Sequence, residues 1–369
     1  MIETPQLVDQ YCHGVLRTEL GLGTFEAQLG RGGGPPAPGT TFFDTWAGFA
    51  VRRWCPPLLG LEPHCPPAHY LARRRELGVI ESGRRLLRGS GIGAFLVDTG
   101  SDGDLTGPGE MASASDAEAH EVVRLELLAE QVAATSGTVE SFLANLAESV
   151  HAAASHAVAF TSVAGVRHGL AVGPEPPDAA EVSRAAGRRL QRRATVVGPS
   201  RGLDDPVLLR HLLWIAVGTG RPLQLLLDGP DPGSRAAAFA RETAGLGTDL
   251  VLLPRGPQDA PAVGLTAEFP HVHADLGRAL ARTGARAEPL LAELLDLAPF
   301  GKLLFSSGAR ALPELHVVAA RSFAGALGRL LDALVADGAW SATDAGRVAR
   351  MLAAENARRV YGLPEGPGA

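Results

Sequence analysis

The stretch that decides the fold is Leu7-Val8-Asp9-Gln10-Tyr11-Cys12-His13-Gly14-Val15. Apolar residues lead into it, a polar cluster follows, and Gly14 lets the chain turn away. This order is typical of a buried barrel strand that delivers side chains to a site at its carboxyl end. Residues 11 and 13 point the same way along such a strand, so a histidine at each could hold one metal ion. His13 is present, but position 11 is Tyr11.

The rest of the chain repeats the same alternation of short apolar runs and helical segments. Seven more strands are predicted at Gly91–Asp98, Val122–Leu127, Val158–Val163, Leu223–Leu227, Leu250–Leu253, Val272–Asp275 and Leu303–Phe305. Strands separated by helices favour a parallel sheet covered by helices, and eight units suit a (β/α)8 TIM barrel. An open doubly wound sheet is the alternative. It would favour a glycine-rich phosphate loop after the first strand, and the sequence has none there.

Helical segments fill most of the remaining chain, and we expect residues 1–369 to form one domain. Residues 40–78 are rich in Trp and Pro and are predicted to be a mostly helical insertion after strand one. Ser341 and Asp344 form a capping box that opens the last helix. The other helices are predicted at Glu81–Arg88, Thr138–Ala154, Ala179–Arg192, Asp205–Val217, Ser234–Ala244, Pro289–Leu297 and Pro313–Val335.

Composition excludes several classes of protein. The chain has 369 residues and a formal net charge of −6, so no basic surface for nucleic acid is expected. Three cysteines argue against a disulfide framework and for a reducing compartment. No secretion signal and no run of 18 apolar residues is visible, which predicts a cytoplasmic protein without a membrane span. The composition is typical of a high-GC bacterial genome.

Several motifs, in this order, resemble the amidohydrolase superfamily. They are Asp9-x-x-x-His13-Gly14, Phe160-Thr-Ser-Val-x-x-x-Arg167, Leu304-Phe-Ser-Ser307, Leu312-Pro-Glu-Leu315 and Glu355-Asn-Ala-Arg-Arg-x-Tyr-Gly-Leu363. The match is to the family-2 branch, which also occurs fused to glutamine-synthetase-like domains. The resemblance implies a (β/α)8 barrel and metal-dependent hydrolysis of C–N or related bonds. It also implies a His-x-His pair on strand one, a histidine on each of strands five and six, and an Asp on strand eight. Many members add a lysine or glutamate on strand four.

Most of these implied ligands are missing from the sequence. His13 remains as a vestigial metal ligand, and the other positions hold Tyr11, Thr161, Leu226, Pro254 and Gly308. No histidine lies between residues 212 and 270, and Lys302 is the only lysine in the chain. We therefore expect no tightly bound cofactor, although zinc is possible by resemblance, and we expect hydrolase activity to be impaired or absent.

Three functions remain open at this stage. The first is the impaired hydrolase. The second is a non-catalytic barrel that acts as a partner subunit, a homo-oligomer or a binder of a small metabolite. The third is an enzyme without metal, in which His13 and an acid, Asp228 or Asp275, transfer protons. Arg124, Glu126 and Arg167 are predicted either to form a buried ion-pair network or to bind an anionic substrate. Whether the protein is an enzyme stays open.

Other metal-like patterns in the sequence are weaker. His271 and His273 share one face of strand seven but lie at its amino end, away from the chemistry of a barrel. Cys55, His64, Cys65 and His69 lack the spacing of a structural zinc site. Cys12 neighbours His13, but adjacent strand residues face opposite ways, so Cys12 is expected to pack outside the barrel.

Overall fold

Eight parallel strands form one sheet in the order of the sequence. The computed structural model describes residues 2–30, 34–168, 170, 173–195, 203–228, 232–281 and 283–365. The strands are β1 (Leu7–Cys12), β2 (Ile92–Asp98), β3 (Glu118–Arg124), β4 (Ala159–Ser162), β5 (Leu223–Leu226), β6 (Leu250–Leu253), β7 (Val272–Asp275) and β8 (Leu303–Leu304).

The chain that continues β8 pairs with β1 and closes the ring. The amide of Gln10 donates to the carbonyl of Phe305 at 3.1 Å, and the amide of Gly308 donates to the carbonyl of Tyr11 at 3.0 Å. The amide of His13 donates to the carbonyl of Ala309 at 2.8 Å. The predicted (β/α)8 barrel is therefore confirmed, and the open sheet is wrong.

Helices connect and cover the strands. They are α1 (Leu22–Leu29), α2 (Trp46–Leu58), α3 (Pro67–Arg88), α4 (Pro108–Ser115), α5 (Leu125–Thr135), α6 (Val139–Ala154), α7 (Ala164–His168), α8 (Ala179–Thr195), α9 (Pro206–Val217), α10 (Pro232–Thr243), α11 (Leu265–Glu268), α12 (Gly277–Leu280), α13 (Ala287–Leu297), α14 (Pro313–Ala336), α15 (Ala342–Arg350) and α16 (Asn356–Tyr361). A π-helical turn, Met351–Glu355, joins the last two.

Side chains cap two helix starts, and one of them is the capping box predicted at Ser341. Asp205 accepts the backbone N–H of Val207 at 3.0 Å at the start of α9. Ser341 accepts the N–H of Asp344 at 3.0 Å at the start of α15. Such bonds satisfy donors that have no partner inside the helix.

The barrel interior is packed with side chains, and α16 closes its lower end. Val8, Leu96, Val251 and Leu304 belong to one buried apolar cluster with residues of α16. Asn356 fixes that helix, because its side-chain amide donates to the carbonyl of Leu303 at 2.8 Å. The interior below the mouth is therefore a filled core, as in other barrels of this size.

A shift of register in β1 turns two consecutive side chains inward. Asp9 pairs with Phe95 and Cys12 with Val97, so β1 has two residues between these partners where β2 has one. Gln10 and Tyr11 both face the interior, whereas Cys12 packs outside, as predicted. An extra residue in one strand re-aims the side chains that follow it.

Strand three was placed too late in the chain. It covers Glu118–Arg124, and Leu125 begins α5. The predicted strand Val122–Leu127 is therefore wrong in its bounds, and Arg124 and Glu126 lie on different elements. The start of the strand has no apolar run, because Glu118, His120 and Glu121 are polar. Helix-forming residues follow Arg124 directly.

The segment predicted as a helical insertion contains α2 and most of α3. Its apolar side chains pack against the first turns of α14 in one buried cluster. Tyr70 donates to Glu314 at 2.7 Å, and Arg74 forms a buried ion pair with the same carboxylate at 3.0 Å. Gly78 breaks α3 with a φ of +76°, a conformation that favours glycine.

Candidate functional site

Four polar side chains form a network at the carboxyl end of β1, β2 and β3. The Tyr11 hydroxyl lies 3.3 Å from both Nε2 of His13 and Oδ2 of Asp98. Nδ1 of His13 lies 3.1 Å from the carbonyl of Asp98, so the ring carries its proton there and Nε2 is an acceptor. Arg124 pairs with the same Asp98 carboxylate. Tyr11 and His13 thus face the same way, as their spacing predicts.

Burial sets the protonation of this network. Burial lowers the pKa of His13, and the nearby Asp98 only partly opposes it. Burial, followed by the charge of Asp98, raises the pKa of Tyr11 far above its usual range. Both side chains are therefore neutral near pH 7, and the charge at this end of the barrel comes from carboxylates and guanidinium groups.

Two arginines at the mouth have no carboxylate partner among the described residues. Arg278 donates to the carbonyl of Leu253 at 3.0 Å, and its guanidinium carbon lies 5.6 Å from the centre of the Tyr11 ring. Arg310 donates to the hydroxyl of Ser101 at 2.6 Å and to a backbone carbonyl. Both are half-buried. Neither guanidinium forms an ion pair with a described carboxylate, although Asp275 is close enough to Arg278 for their charges to interact.

Asp275 lies at the end of β7 and is 1% exposed. It accepts the N–H of Arg278 at 3.0 Å, the N–H of Gly277 at 3.3 Å and the Gln10 amide at 3.2 Å. Burial outweighs these bonds and raises the pKa of Asp275 to about 6. This carboxyl group can therefore gain or lose a proton within a physiological range of pH.

The three predicted acid–base residues do not form one constellation. His13 contacts Tyr11 and Asp98, Asp275 contacts Gln10, and Asp228 pairs with Arg255 at the rim. Among the described residues, no hydrogen bond joins His13 to either acid. A shared proton-transfer pair of His13 with Asp228 or Asp275 is not present in this geometry.

The predicted substrate-binding residues also separate. Arg124 reaches the mouth, where it pairs with Asp98. Glu126 lies outside the barrel in the first turn of α5, where it accepts the Ser162 hydroxyl at 2.5 Å and the N–H of Val163 at 2.9 Å. Burial raises the pKa of Glu126. The side chain of Arg167 lies outside the described residues.

The residues at the mouth do not fit a tightly bound metal. Zinc needs three or four donors, and His13 offers only Nε2, because its Nδ1 donates to the carbonyl of Asp98. Leu226 offers no donor. A side chain at Gly308 would place its Cβ 2.8 Å from Arg278 at a φ of +56°, so an Asp is not accommodated there. No step of a reaction is therefore assigned to a metal at this site.

Several residues at the mouth were not predicted from the sequence to be part of the site. In the sequence Asp98 is only the last residue of a predicted strand, and Arg278 and Arg310 lie on no strand, so nothing in the pattern connects them with the site. In addition, the Thr161 hydroxyl and Nε of Arg124, neighbours across β3 and β4, are buried without a hydrogen-bond partner in the structure. Buried polar atoms without partners mark places where a ligand or water is expected.

The other metal-like patterns of the sequence do not form sites in the described chain. His271 contacts the hydroxyl of Thr243 at 3.1 Å, and His273 lies 3.4 Å from Asp249 at the amino end of the barrel. Cys55 is buried, and Cys65 is not. Lys302 lies at the surface, where it donates to the carbonyl of Pro270.

Comparison with known proteins supports the fold and goes no further. No protein-family profile matches the sequence, and no curated protein matches it. Solved structures do match. A provisionally assigned metal-dependent hydrolase from Lactobacillus casei superposes with a TM-score of 0.78 at 20% identity, covering 98% of this chain and 96% of that one.

Two uronate isomerases share the architecture more distantly. The enzyme from Thermotoga maritima gives a TM-score of 0.63 at 13% identity, over 97% of this chain and 94% of its own. The enzyme from Bacillus halodurans gives 0.63 at 11% identity, over 99% and 95%. Identities this low show that the chain has the barrel of these proteins. Separately, none of the described helices combines the length and apolar character that a membrane crossing requires.

Proposed function

We propose that this barrel binds a small carboxylate metabolite at its mouth and has no metal-dependent hydrolase activity. The observation that carries the proposal is the pair Arg278 and Arg310, which flank Tyr11 and His13 without a carboxylate partner. Guanidinium groups suit carboxylates because two N–H donors match two oxygens. The unpartnered Nε of Arg124 and hydroxyl of Thr161 supply further donors deeper in the site.

Descent from an amidohydrolase of the family-2 branch is part of this proposal. In that view the barrel has kept its architecture while neutral or apolar groups replaced most metal ligands. Positive charge from arginine now stands where a metal ion would have attracted an oxygen of the substrate. One domain over residues 1–369, a cytoplasmic location and self-association or a protein partner remain predictions.

Calorimetric titration with glucuronate, using glucose as the neutral counterpart, tests the proposal. Glucuronate is chosen because it is a carboxylate of the size of a hexose. We expect glucuronate to bind and glucose not to bind. Arg278→Gln should weaken binding about tenfold to a hundredfold, since hydrogen bonds to charged groups contribute about 1.5–3 kcal/mol. Arg255→Gln is the matched control, because Arg255 at the rim is already paired with Asp228.

Equal binding of glucose and glucuronate would refute the role of charge. Chelator-sensitive amide hydrolysis that is lost in His13→Ala would refute the absence of a metallohydrolase. Either result is independent of the other, so the two halves of the proposal can fail separately.

Asp275 favours a second candidate function, metal-free proton transfer on the bound carboxylate. Its pKa of about 6 suits a group that exchanges protons near neutral pH. Incubation with glucuronate in D₂O, followed by proton NMR, should then show exchange of a carbon-bound hydrogen. Asp275→Asn should abolish that exchange and leave glucuronate binding intact. No exchange with the unaltered protein would leave binding alone as the function.

A further inference from the structure

A second polar cluster lies on the other face of β1, outside the barrel and against α14. Asp9, Cys12 and His316 are each 0% exposed, and Ser307 is 6% exposed. A carboxylate oxygen of Asp9, the sulfur of Cys12 and a ring nitrogen of His316 all lie within 4.8 Å of one another. Carboxylate, thiolate and imidazole are the ligands that zinc takes in proteins.

The spacing of the cluster suits a shared ion. Nδ1 of His316 lies 3.4 Å from Oδ2 of Asp9, which is long for a hydrogen bond. Two atoms that each bind a tetrahedral zinc at about 2.1 Å lie roughly 3.4 Å apart. The N–H of Ser307 holds the other oxygen of Asp9 at 2.7 Å, so the carboxylate is already oriented.

Ser307 also places a hydroxyl oxygen beside the same atoms. That hydroxyl donates to Oδ2 of Asp9 at 2.5 Å and lies 3.5 Å from Nδ1 of His316. A rotation of the Ser307 side chain would therefore let its hydroxyl oxygen serve as a fourth ligand of an ion. The sulfur of Cys12 lies within 4.8 Å of the other two atoms and now donates to the carbonyl of Leu96 at 3.5 Å, a bond that it would give up on binding an ion.

Charge balance favours the same ion. Among the described residues, His316 is the basic side chain within ion-pairing distance of Asp9, and no arginine or lysine pairs with it. A zinc ion bound by one carboxylate, one thiolate and one neutral imidazole forms a group with no net charge.

The orientation of the His316 ring decides which of its nitrogens faces the cluster. Its Nε2 is buried and has no hydrogen-bond partner in the structure. Its ring meets the ring of Phe95 edge to face at 5.6 Å, which fixes the orientation that turns Nδ1 towards Asp9. Nδ1 is therefore the ring nitrogen that an ion beside Asp9 would meet.

We propose that Asp9, Cys12 and His316 form a structural zinc site that fastens β1 to α14. Binding displaces the thiol proton of Cys12 to solvent and requires no oxidant or reductant. Because the cluster is sealed from solvent, the ion is taken up as the chain folds. The site shares no side chain with the barrel mouth, so it does not depend on the function proposed above.

Element analysis by mass spectrometry of the protein, after removal of loosely bound metal, tests the site. We expect about one zinc per chain, as for a structural site formed on folding. Zinc should be lost in Cys12→Ser and in His316→Gln. It should be retained in Cys55→Ser, which alters another buried cysteine, and in His13→Ala, which alters the mouth.

The absorption spectrum of the unaltered protein loaded with cobalt tests the site without relying on a variant that must fold. Protein produced with cobalt in place of zinc should show the absorption band of a thiolate bound to Co²⁺, and Cys12→Ser should lack it. Unaltered protein free of zinc and without a cobalt–thiolate band would overturn the site. Metal that disappears only in His13→Ala would place the ion at the mouth, refuting this site and the proposed function together.

Discussion

The two faces of β1 differ in chemistry although they are built from neighbouring residues. The inner face presents Tyr11 and His13 to the barrel mouth, where Tyr11 donates to Asp98 and Nδ1 of His13 donates to the carbonyl of Asp98. The outer face presents Asp9 and Cys12 to His316, with a carboxylate, a thiol and an imidazole gathered within 4.8 Å. Metal-binding potential therefore lies on the side of the strand away from the expected active site.

This contrast follows from strand geometry. Successive residues of a strand face opposite sides, and the extra residue in β1 sends both Gln10 and Tyr11 inward. A motif that places Asp, Cys and His within five positions is thus divided between two environments. The inner environment is lined with guanidinium groups, whereas the outer one has no arginine or lysine paired with its carboxylate in the described chain.

The largest effect is expected from removing the outer carboxylate. Asp9→Ala should lower the free energy of unfolding by about 3–5 kcal/mol, because it leaves buried partners, including the N–H of Ser307, without an acceptor. Urea unfolding measures the loss. Asp104→Ala, which removes an exposed ion pair with Arg17, is the control and should change stability little. A loss in Asp9→Ala as small as that of the control would mean the outer cluster contributes no stability.

The next effect is a dependence of stability on pH that arises from Asp275. Its pKa is about 6 in the folded protein and about 3.9 unfolded, so the folded state holds more protons between these values. Stability should therefore fall as pH rises from 4 to 6, by on the order of 2 kcal/mol, and then level off. The difference between the unaltered protein and Asp275→Asn, measured by urea unfolding at several pH values, isolates this contribution. A difference that does not vary with pH would contradict the raised pKa.

Ionisation of Asp275 should also weaken anion binding at the inner face. Above pH 6 the ionised carboxylate of Asp275 places a negative charge beside Arg278, and this charge repels a bound anion. At pH 5 Asp275 is mostly protonated, so the repulsion is smaller. Glucuronate should bind severalfold more tightly at pH 5 than at pH 7 in the unaltered protein. Calorimetry on Asp275→Asn should show a much smaller change. A larger change in that variant would assign the pH dependence to another group.

A smaller effect is expected from the Tyr11 hydroxyl. Tyr11→Phe removes one hydrogen bond to Asp98 but keeps the ring beneath Arg278, so it should cost about 1 kcal/mol of stability. Thermal or urea unfolding measures this. The matched change Tyr361→Phe removes the hydroxyl that donates to Gln10 at 2.6 Å in the lower barrel and should cost a similar amount. If Tyr11→Phe lowers the free energy of unfolding more than Tyr361→Phe does, the network of Tyr11, His13, Asp98 and Arg124 contributes more than a single hydrogen bond.

The smallest effect is expected from restoring a histidine pair at the inner face. Tyr11→His recreates His-x-His, yet Leu226, Pro254 and Gly308 still supply no ligand, so the metal content should not rise. Element analysis of Tyr11→His beside the unaltered protein measures this. One additional metal per chain would show that the mouth needs only that single change.

Much of the architecture could be predicted from sequence because it depends on local patterns. Short apolar runs alternating with helices predict eight strands, and the structure closes them into a barrel. Strand three was predicted too late in the chain. Glu118, His120 and Glu121 are polar, so the start of the strand shows no apolar run. The helix that follows takes Glu126 out of the barrel, which no single strand pattern could reveal.

The sequence by itself determined the parallel barrel, the side to which Tyr11, Cys12 and His13 point, and the absence of a donor side chain at Leu226 and Gly308. Those properties depend on residue type and on the two-residue period of a strand. Only the tertiary structure decided that His316 approaches Asp9 across 307 positions of the chain, and that Arg278 and Arg310 flank the mouth. Contacts between distant segments depend on how helices pack on the closed sheet, and local sequence carries no record of that packing.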